Sequence, residues 1–132
     1  MSGEQGDFSF PREIRIKSRK EFETVRRKGV YYKSSDGDIG MAIVEGKGNG
    51  ISKFGINTLK GFKSAVERNR AKRIIREYIR HNKTTFPKGS LVLLFASPKT
   101  AQLTNNEIRK QLHNIFVNYK LNANKENPKI NN

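Results

Sequence analysis

Residues 67–80 read ERNRAKRIIREYIR, and two patterns superposed in that stretch govern the reading of the whole chain. Ala71, Ile74, Ile75, Tyr78 and Ile79 recur at three- and four-residue spacing, which predicts a helix with one buried stripe. On a helical projection Asn69, Arg73, Arg76 and Arg80 gather on the opposite side, within an arc of about 60°. Six bases (Arg68, Arg70, Lys72, Arg73, Arg76 and Arg80) stand beside only two acids, Glu67 and Glu77. Like charges three or four residues apart on a helix repel by a few tenths of a kcal/mol per pair. A solvated face would mix both signs; this one points to negative charge supplied from outside the chain.

The surrounding sequence frames that helix. Ser18 and Glu21 have the spacing of a capping box, Phe22 and Val25 share one side of the turn that follows, and Gly29 is placed to end the element, so a first helix is expected over about residues 20–28. Ile39, Met41 and Ile43 alternate with Gly40, Ala42 and Val44; Phe54, Ile56 and Thr58 alternate with Lys53, Gly55 and Asn57. Both patterns predict strands, and the glycine-rich GKGNG at 46–50 reads as a hairpin tip between them. LVLLFA at 91–96 reads as a strand buried on both faces. Thr104 and Glu107 form another capping box, opening a helix with Ile108, Leu112, Ile115, Phe116 and Tyr119 as its stripe. The order is helix, two or three strands, basic helix, buried strand, helix. The folded unit is expected over residues 8–121, with polar tails at 1–7 and 122–132.

Composition supports one small domain. The 132 residues carry 27 Lys and Arg against 12 Asp and Glu, a formal charge of +15, and such a cationic field recruits polyanions, nucleic acid first among them. No apolar run approaches the roughly 18 residues of a spanning helix, and MSGEQGDFSF lacks the basic start and apolar middle of a secretory signal, so a cytoplasmic protein without membrane attachment is expected.

Catalytic groups are scarce. There is no cysteine, and His81 and His113 have contexts that suggest no shared metal site. Asp36 and Asp38 flank a glycine and read as turn residues rather than metal ligands. GKGNG lacks the Lys-Ser/Thr of a phosphate loop and does not open a helix. By contrast, the arginines of the basic helix offer rigid donor forks matched to phosphate oxygens, with Asn69 adding a neutral donor and acceptor. Phe22 is a candidate to stack a base while packing in part, whereas Phe54 is expected in the core.

The segment AVERNRAKRIIRE at 65–77 resembles the signature of the protein subunit of bacterial ribonuclease P: Arg-Asn-Arg, one residue, Lys-Arg, then an aliphatic pair and another arginine. The likeness extends to Phe22-x-x-Val25-x-x-x-Gly29, to Gly55-Ile56-Asn57 with Lys60, and to LVLLFASPKTAQLTNNEI. It implies an α+β protein of order α-β-β-β-α-β-α, a two-layer α/β sandwich similar to the second domain of ribosomal protein S5, with a left-handed βαβ crossover. It also implies a function: joining a catalytic RNA, one protein monomer per RNA, to remove the 5′ leader from precursor tRNA. Hydrolysis and most magnesium binding would belong to the RNA, leaving no catalytic residue and no metal ligand on this chain. Arg68, Asn69, Arg70, Lys72, Arg73 and Arg76 would contact the RNA or position metal bound near it; Phe22, Arg26 and Lys60 would line a leader cleft between the first helix and the sheet. Three positions depart from the family pattern: Arg26 replaces a second aromatic, Gly61 a second lysine, and Lys63 a glycine. The competing readings are a non-enzymatic RNA-binding protein of ribosomal type on the same fold and, more distantly, a basic DNA-binding protein, which the absence of a helix-turn-helix, zipper or finger pattern disfavours.

Overall fold

The computed structural model describes residues 11–125. Helix α1 spans Arg19–Lys28, strands β1, β2 and β3 span Val30–Lys33, Ile39–Val44 and Lys53–Thr58, helix α2 spans Ala65–His81, strand β4 spans Leu91–Ala96, and helix α3 spans Asn105–Lys125. This is the expected order, with β1 the third strand of the first group. The tail expected at 1–7 lies outside the described residues, as do residues 126–132 of the one expected at 122–132. Helix α3 continues past Leu121, where the folded unit was expected to end, and Asn122 Nδ2 donates to Tyr32 Oη at 2.9 Å.

Local chemistry sets the helix starts. Ser18 Oγ accepts from Glu21 N at 3.0 Å and Ser64 Oγ from Glu67 N at 3.2 Å, each satisfying an amide that the first turn leaves unpaired. At α3 the box is reciprocal: Glu107 N donates to Thr104 Oγ1 (3.1 Å) and Thr104 N to Glu107 Oε1 (2.8 Å).

The four strands form one sheet in the order β1-β2-β4-β3, antiparallel except for the β3–β4 pair. Strand β4 therefore lies between β2 and β3, and the GKGNG segment is a crossing loop, not the hairpin tip expected from its glycines. The β3–α2–β4 unit explains the arrangement: adjacent parallel strands need a long crossover, and α2 supplies it. The crossing loop is tied to the 87–90 turn, with Gly48 N donating to Lys88 O (3.1 Å), Gly46 N to Ser90 Oγ (3.0 Å) and Lys53 N to Ser90 O (2.8 Å). Gly46 is needed there because a Cβ would fall 2.1 Å from Lys88 O.

Alternation divides the sheet's two faces. Ile39, Met41, Ile43, Phe54, Val92, Leu94 and Ala96 face α2 and α3, meeting Ile74, Ile75, Ile79, Ile108, Leu112 and Ile115 in the main core. Phe86 joins that core and packs against Phe116 at 5.2 Å and Tyr119 at 5.0 Å between ring centroids. Sheet and two helices make the expected sandwich. The short helix α1 lies on the opposite face, where Val25 packs on Ala42 and Leu93. Because α1 covers only part of that face, Phe95 is half-buried rather than enclosed, a departure from the doubly buried strand read in LVLLFA.

A buried polar cluster pins the β1–β2 turn to α3. Ser34 Oγ donates to Gln111 Oε1 (2.8 Å), and Gln111 Nε2 donates to Asp38 Oδ2 (3.2 Å). Asp36 and Asp38 are turn residues as read, flanking Gly37 at φ 76°.

Candidate nucleic-acid interface

On the open face, α1 and the sheet enclose a cleft of about 710 Å³. Phe22 and Arg26, one turn apart on α1, form one wall; Asn57 and Leu59 at the end of β3 form another. Tyr31 of β1 and Phe95 of β4 line the same cleft with stacked rings, 6.3 Å between centroids and 20° between planes. Tyr31 is 56% exposed, so a flat aromatic surface is offered to solvent beside an arginine. Bases stack on such surfaces with little regard to sequence.

Sequence reasoning missed Tyr31 and Phe95. The signal available was the Tyr31-Tyr32 pair ahead of the first alternating strand; its pairing with Phe95 depends on β2 lying between β1 and β4. Lys60 is exposed, but it follows Leu59 on the turn after β3 and is not among the cleft's lining residues.

The predicted basic face divides into three groups. Arg68, Asn69 and Arg73 are exposed along α2. Glu77, the acid within this face, is turned to Arg109 of α3 at 3.9 Å. Arg70 points the other way: its guanidinium donates to Asn105 Oδ1 (2.5 Å) and to the carbonyls of Leu103 (2.8 Å), Thr100 (3.3 Å) and Ala101 (3.3 Å). Those carbonyls lie at the end of a short 3-10 helix, Pro98–Gln102, where a cation is favourably placed. Lys72 and Arg76 are half-buried and line a small cavity together with Phe22. Burial, and secondarily the charge of Arg15, hold the Arg76 guanidinium below its ordinary pKa.

The departures from the family pattern also find places. Arg26 lies in the cleft beside Phe22, where its guanidinium plane offers a stacking surface of its own. Gly61 has φ 115°, and a Cβ there would meet Pro98 Cγ at 2.9 Å, so the backbone disfavours a lysine at this position.

Among the described residues no three His, Cys, Asp or Glu side chains converge as a metal site, and no helix is long and apolar enough to cross a membrane. An aromatic cleft on a mixed sheet, bordered by an arginine-rich helix, defines an RNA-binding protein of the α+β class.

Comparison with known proteins narrows that class. The Ribonuclease P family model matches residues 10–120. The chain is 32% identical over 111 residues to the ribonuclease P protein component of Desulforapulum autotrophicum, covering 84% of this chain and 92% of that one. It is 35% identical over 97 residues to that of Chlamydia muridarum, covering 74% and 77%. The fold superposes on the RNase P protein of Staphylococcus aureus with a TM-score of 0.71 at 23% identity, covering 81% of this chain and 95% of that one. For the Thermotoga maritima RNase P protein the TM-score is 0.65 at 24% identity, covering 77% and 96%. The chain belongs to the ribonuclease P protein family. Members are the protein component of an endoribonuclease and act with an RNA subunit in the 5′ maturation of tRNA.

Proposed function

We propose that this chain holds the single-stranded 5′ leader of precursor tRNA in the cleft between α1 and the sheet while Arg68, Asn69 and Arg73 bind the ribonuclease P RNA. The observation that carries the reading is that Phe22 lines both the cleft and a second, smaller cavity whose lining includes Lys72 and Arg76 of α2. Substrate and catalytic RNA repel each other, and fixed cations beside both lower the free magnesium needed to bring them together. Leader stacking on Phe22, Tyr31 and Phe95 adds affinity for precursor over product, which leaves product release easy.

Magnesium belongs to the RNA in this reading. That ion usually keeps several waters and binds through phosphate oxygens, which the RNA supplies in number. The reading also gives bond breaking to the RNA, with one protein monomer serving each RNA in the cytoplasm.

The test is the ratio of holoenzyme affinities for leader-bearing precursor and mature tRNA. Phe22→Ala with Tyr31→Ala lowers that ratio by about 1 to 3 kcal/mol per stacked base lost. A ratio unchanged by the pair removes the leader from the cleft.

A further inference from the structure

The two edges of the sheet differ. Beyond β3, Arg15 bridges Phe54 in parallel and Ile16 N donates to Phe54 O at 3.0 Å, so the segment ahead of α1 covers that edge. The opposite edge is β1, which pairs with β2 alone. Ser34 N donates to Ile39 O at 3.0 Å, and this fixes the phase of the ladder. Val30, Tyr32 and Ser34 direct their main-chain groups to β2; Tyr31 and Lys33, between them, direct theirs outward. Among the described residues no hydrogen bond takes up those outward groups. An edge in this state is a template for a further strand.

The side chains of β1 give that edge a chemical character. Tyr31 and Lys33 line the cleft together with Arg26, and the one acid among the cleft's lining residues, Asp38, is buried and accepts from Gln111 at 3.2 Å. Arg27 and Lys28, exposed at the end of α1, lead into the strand. Among the described residues no ion pair engages Arg26, Arg27, Lys28 or Lys33. On the other face Tyr32 packs edge-on against Tyr119, 5.8 Å between centroids, and Val30 is left 50% exposed. A strand added here meets cations on its cleft face and apolar surface on the other, because successive side chains alternate.

We propose that the β1 edge docks an extended acidic segment of a partner protein, with carboxylates over Lys33 and Arg26 alternating with apolar side chains over Val30. Charge and hydrogen bonding select this occupant. A second copy of this chain brings another +15 and another Lys33 to the edge and is repelled. RNA is anionic, but phosphate oxygens only accept; they would pair the outward N–H groups and leave the carbonyls of Tyr31 and Lys33 facing negative oxygen. A peptide main chain answers both donors and acceptors.

The probe is a capped peptide, Glu-Val-Glu-Val-Glu, added to the full chain while amide hydrogen exchange is followed residue by residue by NMR. In the free protein the Tyr32 amide is protected by β2 and those of Tyr31 and Lys33 exchange fast. Saturating peptide is expected to slow Tyr31 and Lys33 by tenfold or more. The same peptide N-methylated throughout binds at least about tenfold more weakly, since its main chain no longer donates. Lys33→Glu weakens the unmethylated peptide by about fivefold, as a like charge beside its carboxylates does, with Tyr32 protection showing that the sheet is intact. Unchanged exchange at Tyr31 and Lys33, or equal affinity for the methylated peptide, overturns the proposal. Protection by single-stranded RNA without protection by the peptide overturns it in favour of RNA. Protection that rises with protein concentration alone overturns it in favour of a second copy.

Discussion

Arg70 of α2 donates to the carbonyl of Leu103 at 2.8 Å, so a residue of the arginine signature fastens the start of α3 instead of facing outward. The same guanidinium reaches Asn105 and two further carbonyls. Replacing Arg70 by Ala removes charge-assisted bonds and lowers stability by about 2 kcal/mol, read from the urea midpoint. Because that side chain is spent within the fold, the salt dependence of RNA binding by the folded variant keeps its slope. Full stability with a reduced slope would place Arg70 on phosphate instead.

Arg73 gives the opposite pattern. It is exposed on the outer face of α2, so Arg73→Ala leaves the urea midpoint within about 0.5 kcal/mol of wild type. Its effect appears in RNA binding, where the slope of log K against log salt shrinks by up to about 0.9 for one lost phosphate contact. An unchanged slope would mean that this face does not meet phosphate.

These two arginines show how much of the site was legible. Both fit the signature, since helical period assigns the stripe from Ala71 to Ile79 to the core and leaves the bases outside it. Period says nothing about what a flank residue meets in another element. Arg70's acceptors lie some thirty residues away, in carbonyls at the end of a 3-10 turn. The crossing loop at 46–50 was misread for a related reason: glycines allow tight backbone paths whether the chain reverses or passes over a third strand. Tyr31 and Phe95 escaped notice because LVLLFA looks fully buried until the short α1 is seen to leave part of the sheet open. Capping boxes and core stripes were readable because their chemistry spans three or four residues.

Glu21 carries a pH dependence. Its carboxylate accepts from Lys53 Nζ at 2.8 Å, and that bond is the first cause of a pKa below the ordinary glutamate value, against a smaller opposing effect of burial. A carboxyl group whose pKa is depressed by folding stabilises the protein fully above its unfolded pKa, and the contribution disappears as pH falls through the folded value. Thermal midpoints of wild type and Glu21→Gln should therefore differ at pH 6, with the wild type higher, and converge on acidification below the ordinary glutamate range of about 4.3. A gap that persists at pH 2 would show that the carboxylate charge is not its source.

Gly61 is tied to its backbone. At φ 115° and with Pro98 Cγ 2.9 Å from a would-be Cβ, Gly61→Lys costs about 1 to 3 kcal/mol of stability by urea titration. Restoring the lysine of the family pattern there strains the turn whatever it adds in charge. Wild-type stability in the variant would show that the turn relaxes without cost.

In the function proposed above, this chain supplies the cations and the aromatic grip while an RNA performs the cleavage. Its most direct test combines the purified protein with a bacterial ribonuclease P RNA and a precursor tRNA at magnesium too low for the RNA alone, scoring mature 5′ ends. The expected result is that the protein restores cleavage at the mature 5′ end and that the protein without RNA cleaves nothing. No stimulation at any protein concentration, or cleavage by the protein freed of RNA, would contradict it.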